Sequence, residues 1–232
     1  MTDVTVSYGA TLAIEHATFT VPVGSVMGLI GPNGAGKSTI IKAGLELMDH
    51  TGDVRFFGKP LEEVRRKVAY MPQVAAVDWD YPITVEQVVT MGMYTELGWL
   101  RRANAAHRSR VMEVLDRVGI ADLAKRQISE LSGGQRRRVF VARILVQAPE
   151  LYLLDEPFAG VDAASERVIR GVLHELRDQG ATIVIVHHDL STVAELCDHV
   201  TILNREIIAT GPTSEAFTRE NITKAFGLGL LE

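Results

Sequence analysis

Cysteine is almost absent from this chain of 232 residues: Cys197 stands alone, so no internal disulfide can form, which fits a reducing compartment. Long apolar runs are missing too. No stretch reaches the roughly 18 residues that a membrane-spanning helix requires. Met1 to Ala10 carries no basic segment followed by an apolar one, so no secretory signal is expected. Positive charge is in deficit. The 24 Lys and Arg against 29 Asp and Glu leave a net charge of −5, which argues against a general nucleic-acid binder while allowing a locally built anion site. Metal-ligand spacing is lacking as well: His16, His50, His107, His174 and His199 form no ligand pattern and read as ordinary residues. No repeat or low-complexity stretch is present. The remaining composition, 47% hydrophobic and 23% charged, is that of a globular protein with ample core, one large domain or two small ones.

Against these absences stands Gly31-Pro32-Asn33-Gly34-Ala35-Gly36-Lys37-Ser38-Thr39, which fits the phosphate-loop pattern G-x-x-x-x-G-K-[ST]. Val26 to Ile30 leads in as a buried strand. Ser38 to Met48 follows as a helix, with Ile41, Leu45 and Met48 at helical spacing. Gly34 and Gly36 let the backbone turn its N–H groups inward without a clashing Cβ, and the helix N-terminus adds partial positive charge where phosphates would sit. Lys37 can reach the β- and γ-phosphates, and Ser38 can offer its hydroxyl to Mg²⁺. The loop therefore predicts nucleoside triphosphate binding.

Met1 to Tyr8 alternates as a short strand, and Leu12 to Val23 continues a β region that Pro22 and Gly24 close. Tyr8 can stack on a base or be an edge-strand aromatic. Thr51 to Phe57, then Gly58-Lys59-Pro60, reads as strand and turn. Val68 to Gln73 is a short strand ending in Gln73, whose side chain can coordinate Mg²⁺ or orient water, or be an ordinary loop amide. The middle of the chain turns helical: Val85, Val88, Val89 and Met93 repeat at helical spacing, and His107 to Val118 is amphipathic with Gly119 as its stop. Leu131-Ser132-Gly133-Gly134-Gln135 precedes a helix from about Arg136 to Gln147. It is either a second anion-binding turn or an N-cap serine. Leu151 to Glu156 is an apolar strand ending in two carboxylates. Alternation along a strand sends them to opposite sides, so Asp155 can serve a metal and Glu156 an attacking water. Thr182 to Val186 leads into His187-His188-Asp189, where one histidine of the pair can face a nucleotide. Val200 to Leu203 and Glu206 to Ala209 form a last strand pair, followed by a short helix, with no sizeable C-terminal regulatory domain expected.

The order of these motifs resembles the ATP-binding subunit of ATP-binding-cassette (ABC) transporters over essentially the whole chain. The Leu-Ser-Gly-Gly-Gln run is the discriminating feature. The resemblance implies an α/β phosphate-loop NTPase fold, with a mostly parallel core sheet, an N-terminal antiparallel β region and one ATPase domain over 1–232 carrying a helical subdomain at approximately 75–145. It implies ATP and Mg²⁺ as cofactors. Tyr8 would stack on adenine, although the chain begins close to it, and Gly31, Pro32, Asn33, Gly34, Ala35, Gly36, Lys37, Ser38 and Thr39 would hold the phosphates. Ser38, Gln73 and Asp155 would be the Mg²⁺ ligands, Glu156 the general base and His188 the γ-phosphate sensor. Ser132, Gly133, Gly134 and Gln135 would cover the ATP of a second copy, with Asp162 in the loop that communicates across that dimer.

Val77 to Val85, Gly98 to Arg102 and Glu156 to Asp162 resemble bacterial importers of manganese, zinc or ferrous iron, manganese first. The implied partners are a second copy of the chain, an integral membrane permease and an extracytoplasmic metal-binding protein acting through it, with no nucleic acid. The implied location is the cytoplasmic face of the bacterial plasma membrane. Asp78 to Tyr94, an irregular acidic stretch with aromatics, would either dock the permease or be simple core packing. The alternative is a soluble ABC ATPase of DNA repair or translation.

Overall fold

The apolar β-branched runs Val26–Ile30 and Thr182–Val186 are buried along their whole length, as strands covered on both faces must be. They belong to a computed structural model that describes residues 1–73, 81–98 and 103–227. The chain packs as two compact units, Met1–Arg65 with Gly180–Glu232, and Arg66–Gln179.

The first unit begins with β1 (Thr2–Tyr8) and β2 (Thr11–Ala17), then β3 (Val26–Ile30), α1 (Lys37–Gly44), β4 (Thr51–Asp53) and α2 (Leu61–Val64). The second holds β5 (Val68–Met71), α3 (Val85–Met91), α4 (Tyr94–Leu97), α5 (Ala105–Arg117), α6 (Gly133–Leu145), β6 (Leu151–Asp155) and α7 (Ala163–Asp178). The chain then returns to the first unit with β7 (Thr182–Val186), α8 (Leu190–Leu196), β8 (His199–Asn204), β9 (Glu206–Pro212), α9 (Thr213–Ala216) and α10 (Arg219–Phe226).

In the first unit β1 pairs antiparallel with β2 on one side and β4 on the other. β3 runs parallel to both β7 and β8, and β9 closes the edge antiparallel to β8. The loop after β3 therefore leaves the C-terminal end of an inner parallel strand, the end where open α/β sheets place their ligands. In the second unit β5 and β6 are parallel, with Met71 opposite Leu154, so Gln73 and Glu156 emerge at the same end. Around them α3, α5 and α6 pack through Val85, Val88, Val89, Val111, Val114, Leu115, Val139 and Phe140. Each of these three helices starts with a capping box: Thr84 with Gln87, Asn104 with His107, Ser132 with Gln135.

Four local expectations need correction. α1 ends at Gly44 rather than Met48. Glu46 takes a left-handed φ of 57°, and the bonds Glu46 N to Ala43 O and Leu47 N to Lys42 O close a Schellman turn that takes Met48 out of the helical register, with Leu45 as the C-cap. The strand at Thr51 stops at Asp53, because Phe57 and Gly58, both at positive φ, form a tight turn that pairs Phe56 with Lys59. The helix after Leu131 starts at Gly133, since the Ser132 cap makes the two glycines its first turn. Glu156 does not continue β6: its φ of 52° breaks the alternation, and its direction is set by that turn rather than by strand geometry. Of the docking segment, residues 78–80 lie outside the described residues, as do residues 99–102.

Candidate functional site

In the first unit, the buried strand β3 delivers the chain to Gly31, whose Cβ, if present, would lie 2.0 Å from the carbonyl oxygen of Leu203. The loop then curls back. Gly36 has φ 98° as the N-cap of α1, and a Cβ there would strike Ile14 Cδ1 at 2.2 Å. Gly34 has φ 80° and nothing within 4 Å of the place a Cβ would fill, so the hollow of the loop is open at that point. Lys37 is only 6% exposed. Its Nζ donates to Gly31 O at 2.8 Å and Pro32 O at 2.9 Å, which places the ammonium across the mouth of the loop. A buried cation at a glycine-rich loop that opens a helix suits a polyphosphate. The Tyr8 hydroxyl lies 3.3 Å from Thr39 Oγ1 and donates to Met48 Sδ, and the residue is exposed. At the end of β7, His187 N donates to Leu29 O, bringing this turn beside the phosphate loop. His187 is buried and His188 exposed, with their rings edge to face at 5.4 Å. His188 is thus the member of the pair that can meet a ligand. Asp189 caps α8, accepting from Ser191, and hydrogen bonds from Ser191 hold its carboxyl below the usual value.

In the second unit, Asp155 is buried at the end of β6. Burial, and secondarily the Asp155 charge, push the neighbouring Tyr70 hydroxyl up to about 12. Gln73 Nε2 donates to Glu156 Oε2 at 2.9 Å, so the glutamine and the carboxylate after Asp155 meet directly. The turn after Glu156 closes with Ala159 N donating to Glu156 O at 3.2 Å. It ends at Asp162, whose Oδ1 accepts from Ser165 N at 2.8 Å and Oδ2 from Ser165 Oγ at 2.9 Å. These bonds hold the Asp162 carboxyl below its ordinary value. Ser132 is an N-cap in fact: Gln135 N donates to its Oγ at 3.3 Å, and Ser132 N donates to Gln135 Oε1 at 2.9 Å. Gly134 is packed tightly inside its own chain, since a Cβ there would lie 2.4 Å from Asp162 Oδ2 and 2.5 Å from Ser165 Oγ.

The structure therefore groups Tyr8, the phosphate loop and His188 in one unit. It groups Gln73, Asp155, Glu156, Asp162 and Ser132 to Gln135 in the other. The oxygen donors Ser38, Gln73 and Asp155 are of the hard type that suits Mg²⁺, a cation that takes few protein ligands beside substrate phosphates. Among the described residues no group of three His, Cys, Asp or Glu could hold a metal by itself. Sequence reasoning missed Arg137. It is only 5% exposed and donates through Nη2 to Ala159 O at 2.9 Å. Its signal was a charged residue three positions after Gly134, on the same helix face as the apolar Phe140, Val141 and Ile144.

A glycine-rich loop carrying a buried lysine between an inner parallel strand and a helix defines a phosphate-loop nucleotide-binding fold. The chain belongs to the ABC transporter family, whose model matches residues 14–159, and it is an ATP-binding, ATP-hydrolysing member. It is 48% identical over 226 residues to the zinc transport system ATP-binding protein TroB of Treponema pallidum, covering 97% of this chain and 85% of that protein. It is 46% identical over 224 residues to the manganese transport system ATP-binding protein MntB of Halalkalibacterium halodurans, covering 97% and 90%. Among solved structures, an ATP-binding subunit of an ABC transporter superposes with a TM-score of 0.79 at 28% identity, covering 98% of this chain and 92% of that one. No described helix is long and apolar enough to cross a membrane.

Proposed function

We propose that this chain is the ATPase that powers import of a divalent transition metal, manganese or zinc, through a membrane permease to which it binds on the cytoplasmic face. The observation that carries the reading is near-full-length similarity, at 48% and 46% identity, to a zinc and to a manganese transport-system protein. The whole chain acts as one ATPase domain, with its helical portion at approximately 75–145, where α3 to α6 fall. Exposed Tyr81, Met91 and Tyr94 in the docking segment suit an apolar permease contact. An extracytoplasmic metal-binding protein would supply the ion to the permease.

In the reaction, the loop Gly31 to Thr39, through backbone N–H groups, and the Lys37 ammonium bind the phosphates, and Tyr8 lies against adenine. Ser38, Gln73 and Asp155 would hold Mg²⁺, which would neutralise charge on the phosphate oxygens. Glu156 accepts the proton of the water attacking the γ-phosphate, and His188 donates a hydrogen bond to that phosphate. Ser132, Gly133, Gly134 and Gln135, with Asp162 behind them, cover the ATP held by a second copy. ATP then favours the closed pair by its greater affinity for that state, and hydrolysis releases it.

Glu156→Gln tests this. Turnover should fall by roughly a hundredfold or more, the usual range for losing a general base, while ATP affinity is kept. Wild-type turnover would remove the base assignment. The same variant, tagged and recovered from gently solubilised membranes with ATP and Mg²⁺, should bring a multi-span permease with it. Recovery with ribosomes or DNA instead would favour a soluble ABC ATPase of translation or repair.

A further inference from the structure

Glu156 is presented from a backbone that a side-chain-bearing residue rarely adopts. Its φ of 52° follows directly on the extended Asp155. A left-handed conformation of this kind costs on the order of 1–2 kcal/mol and persists only where the surroundings over-determine it. Something must hold the turn. Within the turn, Ala159 N donates to Glu156 O and Val161 N to Phe158 O at 3.4 Å, bonds near the long end of the useful range. From outside the turn, Gln73 holds the Glu156 carboxylate, Arg170 lies over the Phe158 ring, and Arg137 Nη2 donates to the Ala159 carbonyl at 2.9 Å, the contact that reaches the turn's backbone from α6. One residue, Ala159, is thus bonded to Glu156 through its N–H and to α6 through its carbonyl.

Arg137 is an expensive way to make one hydrogen bond. A guanidinium stays charged in proteins, and this one is nearly buried, with Nη1 having no hydrogen-bond partner among the described residues. Burial pushes its pKa down, and the carboxylates of Glu156 and Asp155 push it up. A neutral side chain could fill the volume without that desolvation cost. What a neutral residue lacks is attraction toward the two carboxylates. The same helix turn passes close to the chain after Glu156 at two further points: a Cβ on Gly133 would lie 3.4 Å from Gly160 O, and one on Gly134 would meet Asp162 and Ser165. Gly134 and Arg137 are three residues apart and share a helix face.

We propose that Arg137 is the positioning residue for Glu156: it pins the Ala159 carbonyl, fixes the left-handed turn that presents the carboxylate, and joins that turn to the first turn of α6. The proposal rests on Glu156 being the base. Because Ser132 to Gln135 open that same helix, a chain that has engaged a second copy's ATP would transmit any displacement of the helix start to its own Glu156.

The test uses the full-length chain in complex with its permease, with turnover expressed per bound ATP. A merely structural role would lower the number of binding-competent chains and leave turnover per bound ATP unchanged. Arg137→Met should lower that turnover about tenfold, less than the hundredfold that a misplacement of about 1 Å can cost. KM for ATP should stay within about twofold, and Arg137→Lys, which keeps the charge and a donor, should recover most of the loss. Should Arg137→Met fail to fold, Arg137→Gln against Arg137→Lys makes the same comparison. Unchanged turnover per bound ATP in the neutral variants, or a Lys variant as impaired as they are, overturns the proposal. Glu156→Gln measured alongside separates the two ideas: its loss of turnover with normal neutral variants sinks only the role of Arg137, and its wild-type turnover sinks both.

Discussion

Replacing Gly134 with alanine should destabilise the chain even when no nucleotide and no second copy is present. The added Cβ would sit 2.4 Å from Asp162 Oδ2 and 2.5 Å from Ser165 Oγ, well inside contact distance. Neither atom is the loose end of a flexible chain, because the two are bonded to each other at 2.9 Å and Asp162 caps α7. Forcing a methyl into such a space costs about 1–3 kcal/mol. Disturbing the cap costs a further ~0.5–2 kcal/mol, and the better helix propensity of alanine returns up to about 1 kcal/mol. The balance is a loss of roughly 2 kcal/mol, which for a domain of this size is a fall in Tm of about 4–8 °C. Gly133→Ala is the internal control. Its Cβ would find Gly160 O at 3.4 Å, an ordinary contact, so its Tm should stay within about 2 °C of the parent. Thermal unfolding of both variants, followed by circular dichroism without ATP, makes the comparison. Equal midpoints for the two would refute the packing argument and leave Gly134 with a role in ligand binding alone.

Lys37→Ala should lose ATP binding while its fold is kept, because the ammonium at the mouth of the phosphate loop is its main cation; unchanged affinity in a titration would count against this. The His16 ring lies 2.6 Å from Asp3, and that hydrogen bond, then the Asp3 charge, raise the His16 pKa. A raised folded-state pKa means that the pair's contribution is complete below the unfolded value of about 6.5 and fades as pH rises through the folded one. Asp3→Asn should lower the His16 pKa in an NMR titration; a histidine that titrates identically in both proteins would show that the pair does not persist in solution.

The strand, loop and helix around Lys37 were legible because each residue type there answers a local demand. The apolar run Val26–Ile30 and the glycines that take positive φ at 34 and 36 are residue-type signals visible along the chain itself. Helix ends were less legible. The stop at Gly44 depends on Glu46 accepting a left-handed backbone, and its side chain is paired with Arg65 Nη2 at 3.2 Å, a partner far along the chain. The start at Gly133 was obscured because two glycines read as a turn until the Ser132 cap converts them to helix. Opposite strand faces were the wrong argument for Asp155 and Glu156. The separation of the two carboxylates comes from one backbone dihedral that strand periodicity does not describe. The partner of Arg137 and the tight seat of Gly134 were illegible for a different reason, since both depend on where the turn after Glu156 lies in space.

The capping box at Ser132 divides the labour of a single hydroxyl. Its oxygen lone pair receives the N–H of Gln135, which is a folding task completed within the chain. Its hydrogen is not consumed by that bond and stays available for an incoming phosphate. Aspartate at this position would preserve the acceptor while abolishing the donor and adding charge of the wrong sign. On the proposed role of Ser132, the architecture of the helix and the recognition of a second copy's nucleotide would be separable by chemistry at one atom of one residue.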